Sequence, residues 1–262
     1  MARFHDRFPH ANALIGVIHL PPLPGYRSSP GLAAVIEHAL ADLAVYEAGG
    51  LDGVLVENEH DQPHRVQAAR ETIATMTAVT RELMRAAGTI PIGIEILLND
   101  PEASLAVAHA AGAAFIRTDY FVDEMTRPEH GPMWIAPEQV IAYRSRIGAG
   151  DVLLLTDIQV KYAQMVRPRP LAESARIAAE RGADAVIVTG TRTGAPPALE
   201  EVLAARADGC PVLIGSGLDA ANAPGLLGSC EGAIVGTSLL TDGVADPASV
   251  ASLRLAAPAR GA

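Results

Sequence analysis

The sequence predicts an α/β fold, a single closed (β/α)8 TIM barrel. Three observations predict it. Eight short aliphatic runs alternate with longer Ala-rich amphipathic segments, no linker or shift of composition divides them, and glycine turns end the last two runs. Alternation of this kind implies parallel strands joined by crossover helices. The expected strands cover 13–20, 51–58, 90–97, 115–121, 152–159, 185–190, 211–217 and 232–238. The expected helices cover 31–48, 64–87, 101–111, 136–147, 170–181, 197–207, 219–228 and 247–256. The 262 residues then form one barrel domain, 1–262, with its core at about 13–256. Barrels of this kind typically run to about 250 residues. The rival is an open doubly wound sheet, which usually carries a Gly-rich dinucleotide loop after its first strand. Here the first strand runs into HLPPLPG, whose prolines make a stiff extended loop. A proline-rich ligand for another domain is the other reading of that stretch.

Composition agrees with the barrel. Hydrophobic residues make up 49% of the chain and aromatics only 4%, as suits aliphatic strands buried on both faces. Cys210 and Cys230 are too few for a disulfide framework or a thiolate zinc site, and a reducing cytoplasm is expected. The net charge of −10 argues against a nucleic-acid partner but leaves room for a small anionic ligand held by local donors. No run reaches the roughly 18–20 apolar residues of a membrane span, so no transmembrane segment is expected. The first residues, MARFHDRFPHAN, lack an apolar signal core. The Ala-rich helices permit a homo-oligomer. Segment 122–135 holds the only tryptophan, Trp134. It is either a cover for the barrel mouth or a surface excursion anchored by that ring.

The seventh strand ends in Gly215-Ser216-Gly217, followed by Asp219 as a natural N-cap of the next helix. Glycines let backbone approach a ligand, and the first-turn N–H groups of a helix favour anions. The eighth strand repeats the theme with Gly236, Thr237 and Ser238. Phosphate sites of such barrels are commonly built from these two loops. A small phosphorylated ligand is therefore expected there, with plain tight turns as the alternative. Thr189-Gly190-Thr191-Arg192-Thr193-Gly194, after the sixth strand, would add hydroxyls and a guanidinium to the same rim. Arg192 suits a phosphate or carboxylate, or is a solvated loop arginine.

Active sites of this fold lie at the C-terminal strand ends, and side chains alternate between barrel interior and helices. With Ile92, Ile94 and Ile96 facing the helices, Glu95 faces inward. The same reasoning puts Arg117 with Asp119 on one face of the fourth strand, and Asp157, Gln159 and Lys161 inside the fifth. Crowded carboxyls have pKa values pushed apart, which yields one acid and one base. Lys161 could hold an anion or form a Schiff base. The alternative is a structural ion-pair network around Arg117 and Lys161. His19 ends the first strand as a substrate contact or proton-transfer group, while Glu57 and Asn58 end the second. No metal site is assigned. Glu57 to His64 lacks diagnostic ligand spacing, and Mg²⁺ on carboxylates is the alternative there.

GVIHLPPLPG at 16–25, GGLDGVLVEN at 49–58, AGAAFIR at 111–117, TDIQVKY at 156–162 and ADAVIVTGTRTG at 183–194, with PVLIGSGLD and IVGTSL, together resemble the BtpA/SgcQ family. The resemblance implies a phosphate-binding barrel. One branch is named for photosystem I biogenesis and another sits among sugar-uptake genes. His19, Glu57, Asn58, Asp61, Arg117, Asp157, Lys161, Gly190, Thr193, Gly194, Gly215, Gly217 and Gly236 match the family's pattern. Glu95 and Asp119 stand where the photosystem-linked branch would have asparagines, Gln159 where it would have histidine, and Arg192 where it would have a small residue. These differences imply a different ligand.

The expected function is an enzyme acting on a small phosphorylated sugar or a phosphoribosyl or nucleoside-type compound. Hydrolysis of a glycosidic bond, with one carboxyl as acid and another activating water, leads. Isomerisation, epimerisation or lyase chemistry on a phosphosugar is the alternative, as is a non-catalytic assembly factor binding a phosphorylated ligand. Expected catalytic groups are Glu95, Asp119, Asp157, Lys161 and His19. Expected substrate contacts are Glu57, Asn58, Arg117, Gln159, Thr189 and Arg192. Gly190, Gly215, Ser216, Gly217, Gly236, Thr237 and Ser238 are the expected phosphate contacts.

Overall fold

A computed structural model describes residues 2–206 and 209–258 of the chain. Residue 207, at the end of the expected seventh helix, and the domain ends 1 and 259–262 lie outside the described residues. Eight strands form the barrel: β1 (Ala13–His19), β2 (Gly53–Glu57), β3 (Ile92–Glu95), β4 (Phe115–Thr118), β5 (Leu153–Ile158), β6 (Ala185–Val188), β7 (Val212–Ile214) and β8 (Gly232–Val235). Each pairs in parallel with the next, and β8 returns to β1 to close the ring. The helices are α1 (Ala2–Arg7), α2 (Leu32–Ala48), α3 (Arg70–Ala86), α4 (Pro101–Ala111), α5 (Pro137–Arg146), α6 (Leu171–Glu180), α7 (Leu199–Ala205), α8 (Ala223–Leu226) and α9 (Pro247–Ala256). Among the described residues no helix is long and apolar enough to cross a membrane.

Strand alternation sorts the apolar side chains into two layers. Ile92, Ile94, Ile96, Leu154 and Ile158 pack in the layer that also holds the buried helix residues. Leu55, Leu153, Leu155, Ile187, Leu213 and Ile234 fill the interior. The floor of that interior is closed by an element the sequence reading did not contain. Helix α1 buries Phe4 and Phe8, stacked at 4.9 Å, and Phe8 meets Phe115 edge-on at 5.7 Å. Gly93 makes room for the Phe115 ring, which a Cβ at that position would overlap.

Several strands stop earlier than expected because the chain turns into left-handed backbone. Tyr120 has φ 54°, Gln159 φ 47° and Gly217 φ 67°. The helix expected at 219–228 is reduced to the four residues of α8 and a 3-10 turn at Leu227–Ser229. Asp219 Oδ1 accepts the N–H groups of Ala221 and Asn222, making a tight turn rather than a cap on a long helix. Pro224, Gly225 and Gly228 oppose helix extension.

Helix α4 is capped more firmly. Asp100 Oδ1 accepts the Ala103 N–H at 2.9 Å, Pro101 supplies a preset φ, and Asp100 Oδ2 accepts the Ala68 N–H at 2.9 Å. Asp100→Ala therefore removes a cap and a tie to the segment entering α3. The expected loss is about 1–2 kcal/mol, read as a lowered urea midpoint; an unchanged midpoint would contradict the cap.

Segment 122–135 folds over the mouth as part of a small antiparallel sheet, Met125–Arg127, Gly131–Met133 and Gln164–Met165. Leu98, Tyr120, Met125, Met133 and Val160 form its apolar underside. Trp134 is 61% exposed, so those residues, and not the tryptophan, anchor the cover. The proline-rich loop after β1 is likewise built into the barrel. Leu23 N–H donates to Asp61 Oδ1 at 2.8 Å, and the His60 ring contacts the Leu20 carbonyl through Nδ1 at 2.9 Å.

Candidate active site

A cavity of about 1030 Å³ opens at the C-terminal strand ends beneath this cover. Six of the titratable groups lining it come from adjacent strands or the residues just after them: His19 on β1, Glu57 on β2, Glu95 on β3, Arg117 and Asp119 on or just after β4, and Lys161 after β5. The loops after β7 and β8 line the remaining arc, joined at the rim by Thr193 and Gly194 after β6.

Arg117 is the electrostatic centre. Its Nε and Nη2 donate to the two Asp157 oxygens at 2.8 and 3.0 Å, and its Nη1 donates to Glu57 Oε1 at 3.3 Å. Glu95 Oε2 lies 3.5 Å from Nε. Burial opposes the Arg117 charge, but the Asp157 and Glu95 carboxyls outweigh it and hold the guanidinium pKa well above its ordinary value. One guanidinium cannot neutralise all of these acids. Burial, only partly offset by Arg117, keeps Glu95 well above the ordinary carboxyl range, with Glu57 and Asp157 adding to the rise. Glu57 is raised by burial as well, against the pull of Arg117. The Glu57 and Glu95 carboxyls face one another within hydrogen-bond reach, an arrangement that needs one proton. We place it on Glu95.

Asp119 has neither a hydrogen bond nor an ion pair of its carboxyl among the described residues. Burial, then the Asp157 charge, raises its pKa well above the usual range, and Glu95 adds to the rise wherever it is ionised. His19 Nε2 lies 3.7 Å from Glu57 Oε2. Burial lowers the imidazole pKa despite the opposing charge of Glu59, so the ring is neutral near pH 7. The mouth thus combines carboxyls of raised proton affinity with an imidazole of lowered proton affinity, the convergence that acid–base chemistry requires.

Not every expected residue reaches the cavity. Asp157, Asn58, Gln159, Thr189, Gly190 and Arg192 do not line it. Asp157 is buried behind Arg117, with both oxygens engaged. Asn58 donates to Asp61 and accepts the Leu97 N–H. Gln159, expected to face inward, is turned by its positive φ so that its amide donates to the Arg169 carbonyl and Ser174 Oγ. Thr189 is buried, and Arg192 is exposed outside the mouth.

The glycine loops have internal reasons for their glycines. A Cβ at Gly190 or Gly217 would overlap the backbone of Ala195 and Pro196, and one at Gly215 would overlap Ile187. The Gly190 N–H donates to Ser216 Oγ, Ser216 Oγ donates to the Ala195 carbonyl, and Ser238 Oγ donates to the Leu218 carbonyl at 2.6 Å. These hydroxyls bind loop to loop. Gly217, Leu218, Thr237 and Ser238 line the cavity, and among the described residues their backbone N–H groups have no protein acceptor. Among the described residues, no group of three or more His, Cys, Asp or Glu side chains is arranged to hold a metal ion.

Arg127 and Tyr162, given no role from the sequence, also line the cavity, as does His60, weighed there only within the 57–64 stretch as a metal ligand. Arg127 lies in the segment flagged as a cover. Tyr162 accepts the Thr193 N–H at 2.8 Å, tying the loop after β5 to that after β6.

A family model described as the BtpA family matches residues 10–255. The chain belongs to the BtpA family. Within it, the chain is 35% identical over 240 residues to the photosystem I biogenesis protein BtpA of Synechocystis, spanning 90% of this chain and 83% of that one. An uncharacterized protein of Archaeoglobus fulgidus is 38% identical over 234 residues, spanning 89% and 93% respectively. Among solved structures, N-(5'-phosphoribosyl)anthranilate isomerase from Pyrococcus furiosus matches with a TM-score of 0.57 at 14% identity, over 94% of this chain and 98% of that one. A 3-hexulose-6-phosphate synthase matches with a TM-score of 0.59 at 20% identity, over 94% and 100%. At such identities the likeness shows the TIM-barrel fold this BtpA-family chain shares with them.

Proposed function

We propose that this BtpA-family barrel is an acid–base enzyme that hydrolyses the glycosidic bond of a small phosphorylated sugar or a phosphoribosyl or nucleoside-type compound. The observation that carries the reading is the set of buried, proton-holding carboxyls Glu95 and Asp119 in one cavity with the neutral His19 imidazole. Asp119 donates its proton to the leaving group as the bond to the anomeric carbon breaks. Water adds to that carbon and yields its proton to His19, whose imidazolium is stabilised by Glu57 at 3.7 Å. A proton passing from His19 through solvent to Asp119 restores the resting state. The free N–H groups of Gly217, Leu218, Thr237 and Ser238 suit a phosphate on the other arc of the mouth. Structural relatives named for phosphorylated substrates support that ligand class. Lys161, half-buried in the cavity with no ion-pair partner among the described residues, favours phosphosugar lyase chemistry as the second reading.

The test is a panel of phosphosugars and nucleoside monophosphates, scored by thermal shift for binding and by mass spectrometry for turnover. At least one phosphorylated compound is expected to raise the melting temperature and be cleaved to a free sugar phosphate. A compound that stabilises the protein yet is recovered unchanged, across the panel, would favour a non-catalytic assembly factor, which the name of the Synechocystis relative fits.

A further inference from the structure

We infer that the substrate carries a second anionic group, a carboxylate or another phosphate, and that Arg127 receives it with Lys161 beside it. This rests on the reading of the cavity as a phosphosugar site and deepens it. Two other arginines, one lining the cavity and one tied to the cover segment, are engaged. Arg117 is held by Asp157 and Glu57, while Arg169 donates through Nε and Nη2 to Asp123 Oδ1 at 3.0 and 2.6 Å.

Arg127 differs. Its Nε is shielded from solvent and makes no hydrogen bond; its ion-pair partner is Glu129 Oε2 at 3.6 Å, on a side chain 67% exposed. Its other contacts are a long hydrogen bond from Nη1 to the Tyr120 hydroxyl at 3.4 Å and the Tyr162 ring 5.8 Å away. A guanidinium offers five N–H donors in a planar fork matched to carboxylate and phosphate. A desolvated donor without an acceptor is costly in a closed site, so a ligand oxygen is the partner the geometry lacks. Arg127 ends the short strand Met125–Arg127, held over the mouth by Tyr120 and Met125, so its guanidinium enters from the cover. Lys161, in the same cavity, adds a second cation. Neither belongs to the glycine loops after β7 and β8, so the anion they hold is separate from the phosphate assigned there.

The decisive measurement is calorimetric binding of three compounds with one skeleton: glucose 6-phosphate, 6-phosphogluconate and glucose 1,6-bisphosphate. One or both of the doubly anionic compounds should bind about ten- to a hundredfold tighter than glucose 6-phosphate, and which one gains identifies the group. Arg127→Met should erase that gain while leaving glucose 6-phosphate affinity within about threefold, and Arg127→Lys should restore part of it. Equal affinities for all three compounds overturn the second site and leave the phosphosugar reading standing. An equal loss for all three in Arg127→Met does the same, because Arg127 would then hold the shared phosphate. Failure of all three to bind removes the phosphosugar reading itself, and this inference falls with it.

Discussion

Arg117→Met will destabilise the barrel by about 3–5 kcal/mol, the range for breaking a buried ion pair by removing one partner. The side chain is 7% exposed, and Asp157, Glu57 and Glu95 all depend on its charge. Without it the carboxyls must take up protons or remain as uncompensated buried charges. The loss therefore depends on pH in a definite direction. Groups whose folded pKa rises keep their stabilising contribution at acid pH and lose it as pH climbs through the raised value. The gap between wild type and variant, from urea midpoints, should be wider at pH 8 than at pH 5. A gap equal at both, or under about 1 kcal/mol, would mean that Arg117 is not the counter-charge for these acids.

Asp119→Asn will lower turnover of any cleaved substrate by about 10²–10⁴-fold with little change in KM, the range for losing a positioned proton donor. Stability should move the other way. Burial, then the Asp157 carboxylate, raises the Asp119 pKa, so its folded pKa lies above its unfolded one. The wild type therefore loses stability as pH rises through that value, while asparagine has no proton to lose. The variant should be the more stable protein at alkaline pH. His19 has the opposite sign: its lowered pKa gives a contribution present above the ordinary imidazole range and lost as pH falls through the lowered value. Activity should accordingly fall on the acid side as His19 is protonated and on the alkaline side as Asp119 ionises. A variant with wild-type turnover would remove Asp119 from the chemistry, whatever its stability.

Much of the site was legible because strand alternation is a strict period of two. Ile92, Ile94 and Ile96 pointed Glu95 inward without any structure, and the same count paired Arg117 with Asp119. Counting failed where the backbone leaves the β region. Gln159 follows Ile158 at φ 47°, so its amide reaches Arg169 and Ser174 rather than the cavity. The loops expected to hold phosphate stood out as glycine turns, but Gly217 answers first to the Ala195–Pro196 backbone, which is distant from it in sequence. The helix expected after them shrank because Asp219 closes a turn on its own neighbours. The α1 floor carried only two phenylalanines four residues apart, too weak a period to read.

By itself the sequence determined the eight-strand barrel and the inward set Glu95, Arg117, Asp119 and Asp157, because local pattern carries that information, and its motifs carried the resemblance to the BtpA family. Only the tertiary structure decided that Asp157 neutralises Arg117 instead of lining the cavity, that burial raises the proton affinity of Glu95 and Asp119, and that Arg127 enters from the cover. Those outcomes depend on burial and on charges brought together from different strands. Desolvation and Coulomb energies are set by distances in space, and spacing along the chain does not contain them.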